Sequence, residues 1–304
     1  MPQDALYVLD CSYYFRASFF AIPAFPNPSG KTLNAVFGFV STLLRLMTTY
    51  RPPKLIIAGD ATGPYFRHQL FPAYKSAKVR VPQECDQQLP TLLQVLQVMG
   101  IPYVSAPGFE ADDILATIAN TESGAHCHVY ICARDKDLQQ LLSNDVSMLD
   151  IASGAKLTPD ALLAMKGVCP EQVPDLLALT GDAADSIPGI PGVGEKTAVR
   201  LLAKYGSLEM ILDNWEVIGG NLGSKLRDLR AQALLAKELT TLRKDVPLEL
   251  LPLELRLQSV HDEVEALFQQ LGFERLLKGW NKLLEACQDK EEPESPFQPD
   301  LFTE

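Results

Sequence analysis

The sequence predicts an α/β fold, a mainly parallel central sheet flanked by helices, followed by a C-terminal helical region. Three observations predict it. Short apolar runs without polar alternation suit strands covered on both faces. Helical patterns lie between those runs, giving the βαβ order of a layered domain. Beyond about residue 158 only helical spacing continues. A chain of 304 residues with 47% apolar and 21% charged residues has the composition of a folded globular protein.

Taken in order, residues 6–10 form a buried strand ending on Asp10, and 33–50 a helix. Residues 55–60 form a second strand ending on Asp60, followed by a helix over 86–99. The next helix, 110–121, opens on Glu110-Ala111-Asp112-Asp113. Residues 128–133 form a third strand that runs into Asp135 and Asp137. Asp10, Asp60 and Asp135 thus fall at the carboxyl ends of strands, where layered α/β domains bind ligands. Further on, 176–181, 195–205, 222–242 and 260–285 carry helical spacing, with Pro and Gly clustered at 186–194. The expected division is a core over 1–158, a helical region over 159–288 with a helix–hairpin–helix near 176–206, and a flexible acidic tail over 289–304.

The formal net charge of −11 argues at face value against a polyanionic partner. Its distribution reverses that reading. The tail holds six acids and one Lys, a net −5, and nine more carboxylates sit in clusters. The remainder is slightly basic, so nucleic acid is compatible if cations neutralise the clusters. No apolar run approaches the ~18 residues that cross a bilayer, and no secretion signal is expected at the N-terminus. Six Cys without a CxxC pair read as reduced thiols of a cytoplasmic protein, neither a disulfide framework nor a zinc site.

Five carboxylate clusters stand out: Asp10; Asp60; Glu110, Asp112 and Asp113; Asp135 and Asp137; and Asp182 and Asp185. Glu110 and Asp113, like Asp182 and Asp185, lie three apart, on one face if helical. Asp135 and Asp137 point the same way if their segment is extended. Oxygen donors without His or Cys suit Mg²⁺ or Mn²⁺. Taken singly, each Asp reads as a cap or a loop residue; their joint occurrence at successive strand ends reads as a metal centre.

Asp10 with Phe15-Arg16, Gly59-Asp60, Phe66-Arg67-His68, Tyr74-Lys75, Glu110-Ala-Asp-Asp113, Arg134-Asp-Lys-Asp-Leu138 and the run Thr180 to Ala198 occur in that order. Over residues 1 to about 285 the chain resembles the 5′ nuclease family, which includes the 5′–3′ exonuclease domain of bacterial DNA polymerase I and the flap endonucleases. The resemblance implies a metal-dependent, structure-selective nuclease. Asp10, Asp60, Glu110 and Asp112 match its first metal site, and Asp135, Asp137 and Asp185 its second. Asp113 and Asp182 match supporting carboxylates. Two ions ~4 Å apart can clamp the attacking and leaving oxygens of a phosphodiester displacement. Arg16 and Lys75 match cations that approach the scissile phosphate, with Asp135 and Asp137 completing the catalytic set. The family also implies an arch near 65–100 over the 5′ strand. Three departures stand out: Cys11 replaces the usual Gly, the segment from Asp10 to Arg16 is one residue short, and Ser186 stands where Asn is common.

The glycine-rich run does not fit a nucleotide-hydrolysing loop, because Glu195 separates Gly194 from Lys196. It fits a hairpin whose Gly192 and Gly194 let backbone N–H groups approach a DNA phosphate, with Lys196, Thr197 and Arg200, and Lys204 beyond them, on the next helix. The resemblance adds a K⁺ ion at this hairpin. Arg67, Tyr74, Lys75, Lys78 and Arg80 form a basic stretch for DNA, and Tyr13, Tyr14 and Phe15 offer rings for base stacking, with packing of one of them into the core as the alternative. In the tail, Gln298, Leu301 and Phe302 resemble a peptide by which replication enzymes dock on a sliding clamp. The expected substrates are DNA 5′ ends and flaps and RNA–DNA hybrids, with primer removal and repair as roles and no membrane partner. Two alternatives are an Asp-dependent phosphatase, which would need an Asp where Ser12 stands, and a DNA-structure-binding scaffold without catalysis, which would have lost ligands.

Overall fold

The computed structural model describes residues 5–77, 81–123, 127–248 and 260–288. Lys78 and Arg80, and the tail with Gln298, Leu301 and Phe302, lie outside the described residues.

Six strands form one sheet in the order β3-β2-β1-β4-β5-β6. These are β1 (Ala5–Asp10), β2 (Lys54–Ala58), β3 (Tyr103–Val104), β4 (His128–Cys132), β5 (Val146–Leu149) and β6 (Lys156–Leu157). β1 to β5 run parallel, and β6 closes the edge antiparallel to β5. Every residue of β1 is buried, as expected of a central parallel strand. The chain order reverses between β1 and β4, so Asp10 and Asp135 flank the switch point of the sheet.

Helices cover both faces. On one lie α1 (Cys11–Ala21), α2 (Asn34–Tyr50) and α5 (Leu89–Val98), with α3 (Phe66–Leu70) and α4 (Gln83–Asp86) between β2 and α5. On the other lies α6 (Ala111–Ser123). Asp10 ends β1 and caps α1, its Oδ1 accepting from the Tyr13 amide at 3.0 Å. Cys11, the first residue of α1, has no left-handed backbone, which explains why a side chain is accommodated there.

The second half is helical: α7 (Pro159–Lys166), α8 (Val173–Thr180), α9 (Glu195–Tyr205), α10 (Leu208–Asp213), α11 (Trp215–Ile218), α12 (Gly220–Asp228) and α13 (Arg230–Thr240). α8, the turn after it and α9 form the helix–hairpin–helix. Gly181 and Gly189 cross so closely that a Cβ on Gly189 would lie 2.3 Å from the Thr180 carbonyl carbon. The expected helix over 222–242 is two helices broken at Leu229. That over 260–285 is α14 (His261–Leu271) and α15 (Glu274–Gln288), interrupted by Gly272 at φ +72°. β3, β5 and β6 were not expected from the sequence.

α14 and α15 return to the first half of the chain. Trp280, Phe268 and Phe273 are fully buried against α2, and Phe273 meets Phe37 edge-on with ring centroids 5.6 Å apart. Among the described residues no helix is long and apolar enough to cross a membrane.

Truncating Trp280 removes the largest fully buried side chain. Trp280→Ala is expected to cost about 3–5 kcal/mol in chemical denaturation. The Trp280 indole N–H has no partner among the described residues, so Trp280→Phe should cost distinctly less than Trp280→Ala.

Candidate active site

The ends of β1, β2 and β4, the start of α6 and the turn after α8 meet at an open pocket of about 310 Å³. Asp10, Asp60, Asp112, Asp135 and Asp185 line it together with Arg16 and Lys75. Each carboxylate is delivered by a different local device. Asp60 lies two residues past β2; its Oδ1 accepts the Ala111 amide at 3.0 Å and its Oδ2 the Arg16 guanidinium at 3.1 Å. Asp112 belongs to the first turn of α6. Asp135 precedes a 3₁₀ turn over Asp137–Leu141, and its Oδ1 accepts the Asp137 amide at 3.0 Å. That turn overrides the extended geometry expected for Asp135 and Asp137.

Asp137 instead faces Asp182 and Asp185, one carboxylate oxygen from each lying within 4.8 Å of the others. Asp137 Oδ1 is buried with no hydrogen-bond partner among the described residues, as a donor atom for a cation would be. Asp182 and Asp185 do not sit on a helix; they occupy a tight turn closed by the Asp182–Ile187 bridge. Lys136, between the two aspartates of its segment, pairs with Asp182 at 3.0 Å. Three carboxylates with only oxygen donors fit a hard divalent cation.

Several of the expected residues hold different positions. Asp113 is completely buried, with all its oxygens engaged: Oδ1 by Arg67 Nη2 at 2.7 Å and the Arg243 amide at 3.0 Å, Oδ2 by Arg67 Nη1 at 2.7 Å and the Glu110 amide at 3.3 Å. That geometry leaves no oxygen for a metal. Arg67, expected to face DNA, is only 2% exposed. Burial opposes its charge, but hydrogen bonding to Asp113 and the fields of Asp113 and Glu110 push its pKa above the usual value.

Tyr74, also expected at the DNA, is buried. Its hydroxyl donates to Glu110 Oε2 at 2.9 Å and lies 3.2 Å from Asp185 Oδ2. Glu110 is thereby held from three sides, by Arg67, Tyr74 and the Lys75 ammonium. Lys75 has φ +55° and Ser186 φ +60°, both left-handed. The Lys75 amide donates to the Asp185 carbonyl at 2.9 Å, and the Ala77 amide to Ser186 Oγ at 3.0 Å. The left-handed backbone explains why Asn, which tolerates it better than Ser, suits position 186.

Of the three rings proposed for stacking, Tyr14 and Phe15 are core residues, and Tyr13 alone lines the pocket. Phe20, which the sequence reading missed, is 67% exposed at the pocket's edge. Its position on α1, seven residues after Tyr13 and four after Arg16, was the available signal. Ser12, also missed, accepts the Asp60 amide at 3.3 Å.

At the hairpin, Gly192 has φ +87° and Gly194 precedes α9 without a side-chain cap, leaving N–H groups of the first turn open. Lys196, Arg200 and Lys204 are exposed at four-residue steps along α9, with Thr197 partly buried beside them. Lys225, on α12, reaches the Pro191 carbonyl at 2.7 Å; no local pattern marked it.

The electrostatics follow from crowding. Burial, then Asp60 and Asp135, push the Asp10 carboxyl up to about 7 against the opposing Tyr13 amide. Burial, Asp135 and Asp182 push Asp137 up to about 8. Burial and Asp135 also push Asp112 up. Burial opposes ionisation of Asp60 as well, but the Ala111 amide and Arg16 outweigh it and hold that carboxyl down.

A model of the 5′-3′ exonuclease N-terminal, resolvase-like domain matches residues 5–167, and one of the 5′-3′ exonuclease C-terminal SAM fold matches 168–263. A 5′-3′ exonuclease of Aquifex aeolicus is 35% identical over 283 residues, covering 92% of this chain and 96% of that protein. DNA polymerase I of Mycobacterium tuberculosis is 40% identical over 278 residues, covering 89% of this chain but 31% of the polymerase. The chain thus spans about a third of the length of the polymerases it matches. The bacteriophage T5 flap endonuclease, solved with DNA and metal ions, superposes with a TM-score of 0.64 at 20% identity, covering 93% of this chain and 99% of that one. The catalytic core of Rad2 with a DNA substrate gives 0.62 at 15% identity, covering 92% of each. These two share the fold.

Because Asp10 and Asp137 keep their protons up to about 7 and 8, a cation must displace protons to engage them. Affinity for Mn²⁺ is expected to rise as the pH is raised through that range. Calorimetry in buffers of different ionisation heat at pH 7 should show proton release; identical enthalpies in all buffers would contradict it.

Proposed function

The chain belongs to the 5′-3′ exonuclease family, and we propose that it hydrolyses phosphodiester bonds in DNA at 5′ ends and 5′ flaps, leaving a 5′-phosphate and a 3′-hydroxyl. The observation that carries the reading is the pocket of convergent carboxylates within a chain that the two family models match from residue 5 to residue 263.

Asp10, Asp60, Glu110 and Asp112 would hold one Mg²⁺, and Asp135, Asp137 and Asp185 a second, with Asp182 in support and Mn²⁺ as a substitute. Bound there, the ions would activate the attacking water and offset charge on the scissile phosphate. The protein's own residues supply orientation and counter-charge. Arg16 on α1 and Lys75 after α3 both border the pocket. From there a guanidinium and an ammonium face the position of a phosphate, where fixed cations stabilise charge developing on its oxygens. Tyr13 and Phe20 present rings at the same rim, suited to an unpaired base.

The duplex would lie on the hairpin. Gly192 and the first turn of α9 offer N–H groups to a phosphate, and Lys196, Arg200 and Lys204 extend the contact. A K⁺ ion at the hairpin, RNA–DNA hybrids as substrates, primer removal and repair as roles, and clamp docking through Gln298, Leu301 and Phe302 belong to the same proposal. The supporting observations are the family match and the tail's sequence. Tyr74 and Arg67, being buried, hold Glu110 and not DNA.

Cutting of a labelled 5′-flap substrate and a nicked duplex, with and without Mg²⁺, tests the reading. No Mg²⁺-dependent product from either would refute it. Asp135→Ala should lower turnover by more than the roughly 10–100-fold typical of outer-shell changes at metal sites, while flap binding in Ca²⁺ persists. Replacing Lys196 and Arg200 by Ala should weaken binding to all duplex sequences alike and reduce the salt slope by roughly 2. An unchanged slope would remove the hairpin from the interface.

A further inference from the structure

Arg67 uses all five of its guanidinium hydrogens inside the protein, and they run to two different parts of the chain. Nη1 donates to Glu110 Oε2 at 2.9 Å and to Asp113 Oδ2 at 2.7 Å, and Nη2 to Asp113 Oδ1 at 2.7 Å. Nε donates to the Leu239 carbonyl at 2.8 Å and Nη2 to the Thr241 carbonyl at 3.4 Å. The first three acceptors belong to the start of α6, which carries Glu110 and Asp112. The last two belong to the end of α13, whose final carbonyls lack helical partners and favour a cation.

The join is reinforced from both sides. Asp113, held by Arg67, accepts the Arg243 amide at 3.0 Å, just past α13. Gln140, within the Asp137–Leu141 turn, donates to the Thr240 carbonyl at 2.9 Å and accepts the Leu242 amide at 3.0 Å. α13 in turn packs through Ala233, Ala236 and Leu239 into the core that holds α8 and α9. One buried cation therefore touches Glu110, which also pairs with Lys75 of the pocket wall, and the helix that supports the hairpin.

We propose that Arg67 is a positioning residue: it fixes the Glu110 carboxylate and ties it to the end of α13, so that the seating of the helical half sets the pocket's affinity for a divalent cation. The proposal rests on the nuclease reading above for the use made of that cation. Coupling of this kind is reciprocal, so a cation in the pocket must also tighten the segment at the end of α13.

Two measurements test it, neither of which depends on turnover. In the first, Mn²⁺ is titrated into Arg67→Lys by calorimetry. Lys keeps the charge but cannot form the planar fork or reach both segments. Its Mn²⁺ affinity should fall roughly 10–100-fold relative to wild type, the range for residues that orient metal ligands. An unchanged affinity in folded Arg67→Lys, even with a lowered melting temperature, reduces Arg67 to a structural residue and overturns the proposal. In the second, hydrogen exchange of wild-type protein is followed with and without Mg²⁺. Amides 241–243 should slow severalfold with the ion; unchanged rates overturn the proposal even if Arg67→Lys does not fold. A wild-type protein that binds Mn²⁺ and cuts flaps while failing both tests sinks the coupling alone. One that binds no divalent cation sinks the nuclease reading with it.

Discussion

Carboxylates from five separate segments converge on one pocket, and the placement of almost every other polar group near them follows from their mutual repulsion. Two like charges 4 Å apart cost roughly 4 kcal/mol at an effective dielectric near 20. The protein meets that cost in two ways. Asp60 is held ionised by an amide at the start of α6 and by Arg16. Asp10 and Asp137, with fewer donors, are pushed up toward the neutral range. The centre is thus asymmetric, part ready-charged and part protonated.

The same constraint explains the buried basic groups. Arg67, Tyr74 and Lys75 all converge on Glu110, whose carboxylate is itself buried. A buried cation that satisfied only one carboxylate would leave donors unpaired at high cost. Arg67 avoids this by spending the remaining donors on main-chain carbonyls. Lys75 and Ser186, both left-handed, mark where backbone is bent to bring these groups inward.

Much of this was legible in the sequence, because the strands that carry Asp10, Asp60 and Asp135 are unbroken apolar runs and their carboxylates stand next to them. β3 and β6 were not legible, since two residues cannot establish a period, and β5 is four residues long with a Ser inside it. The break at Gly272 was visible as a glycine within a helical pattern, while that at Leu229 carried no breaker. The basic stretch misled for a physical reason. An Arg beside aromatic residues reads equally as a surface cation or a buried one, and Asp113, 46 residues away, decides which. The turn over Asp137–Leu141 likewise depends on the Thr240 and Leu242 backbone that Gln140 meets, 100 and 102 residues downstream.

α2 presents an apolar face that the sheet does not cover; Trp280, Phe273 and Phe268 cover it. During synthesis that face emerges roughly 230 residues ahead of its cover. At about 5–20 residues per second the interval is about 10–50 s, far longer than a helix needs to form. The nascent first half must therefore spend that time with a sticky flank, either held loosely or shielded by a chaperone, and it closes only when α15 leaves the ribosome. The site's strands and the seal on their supporting helices are separated in time as well as in sequence, so the α/β half is completed only after the helical half has been made.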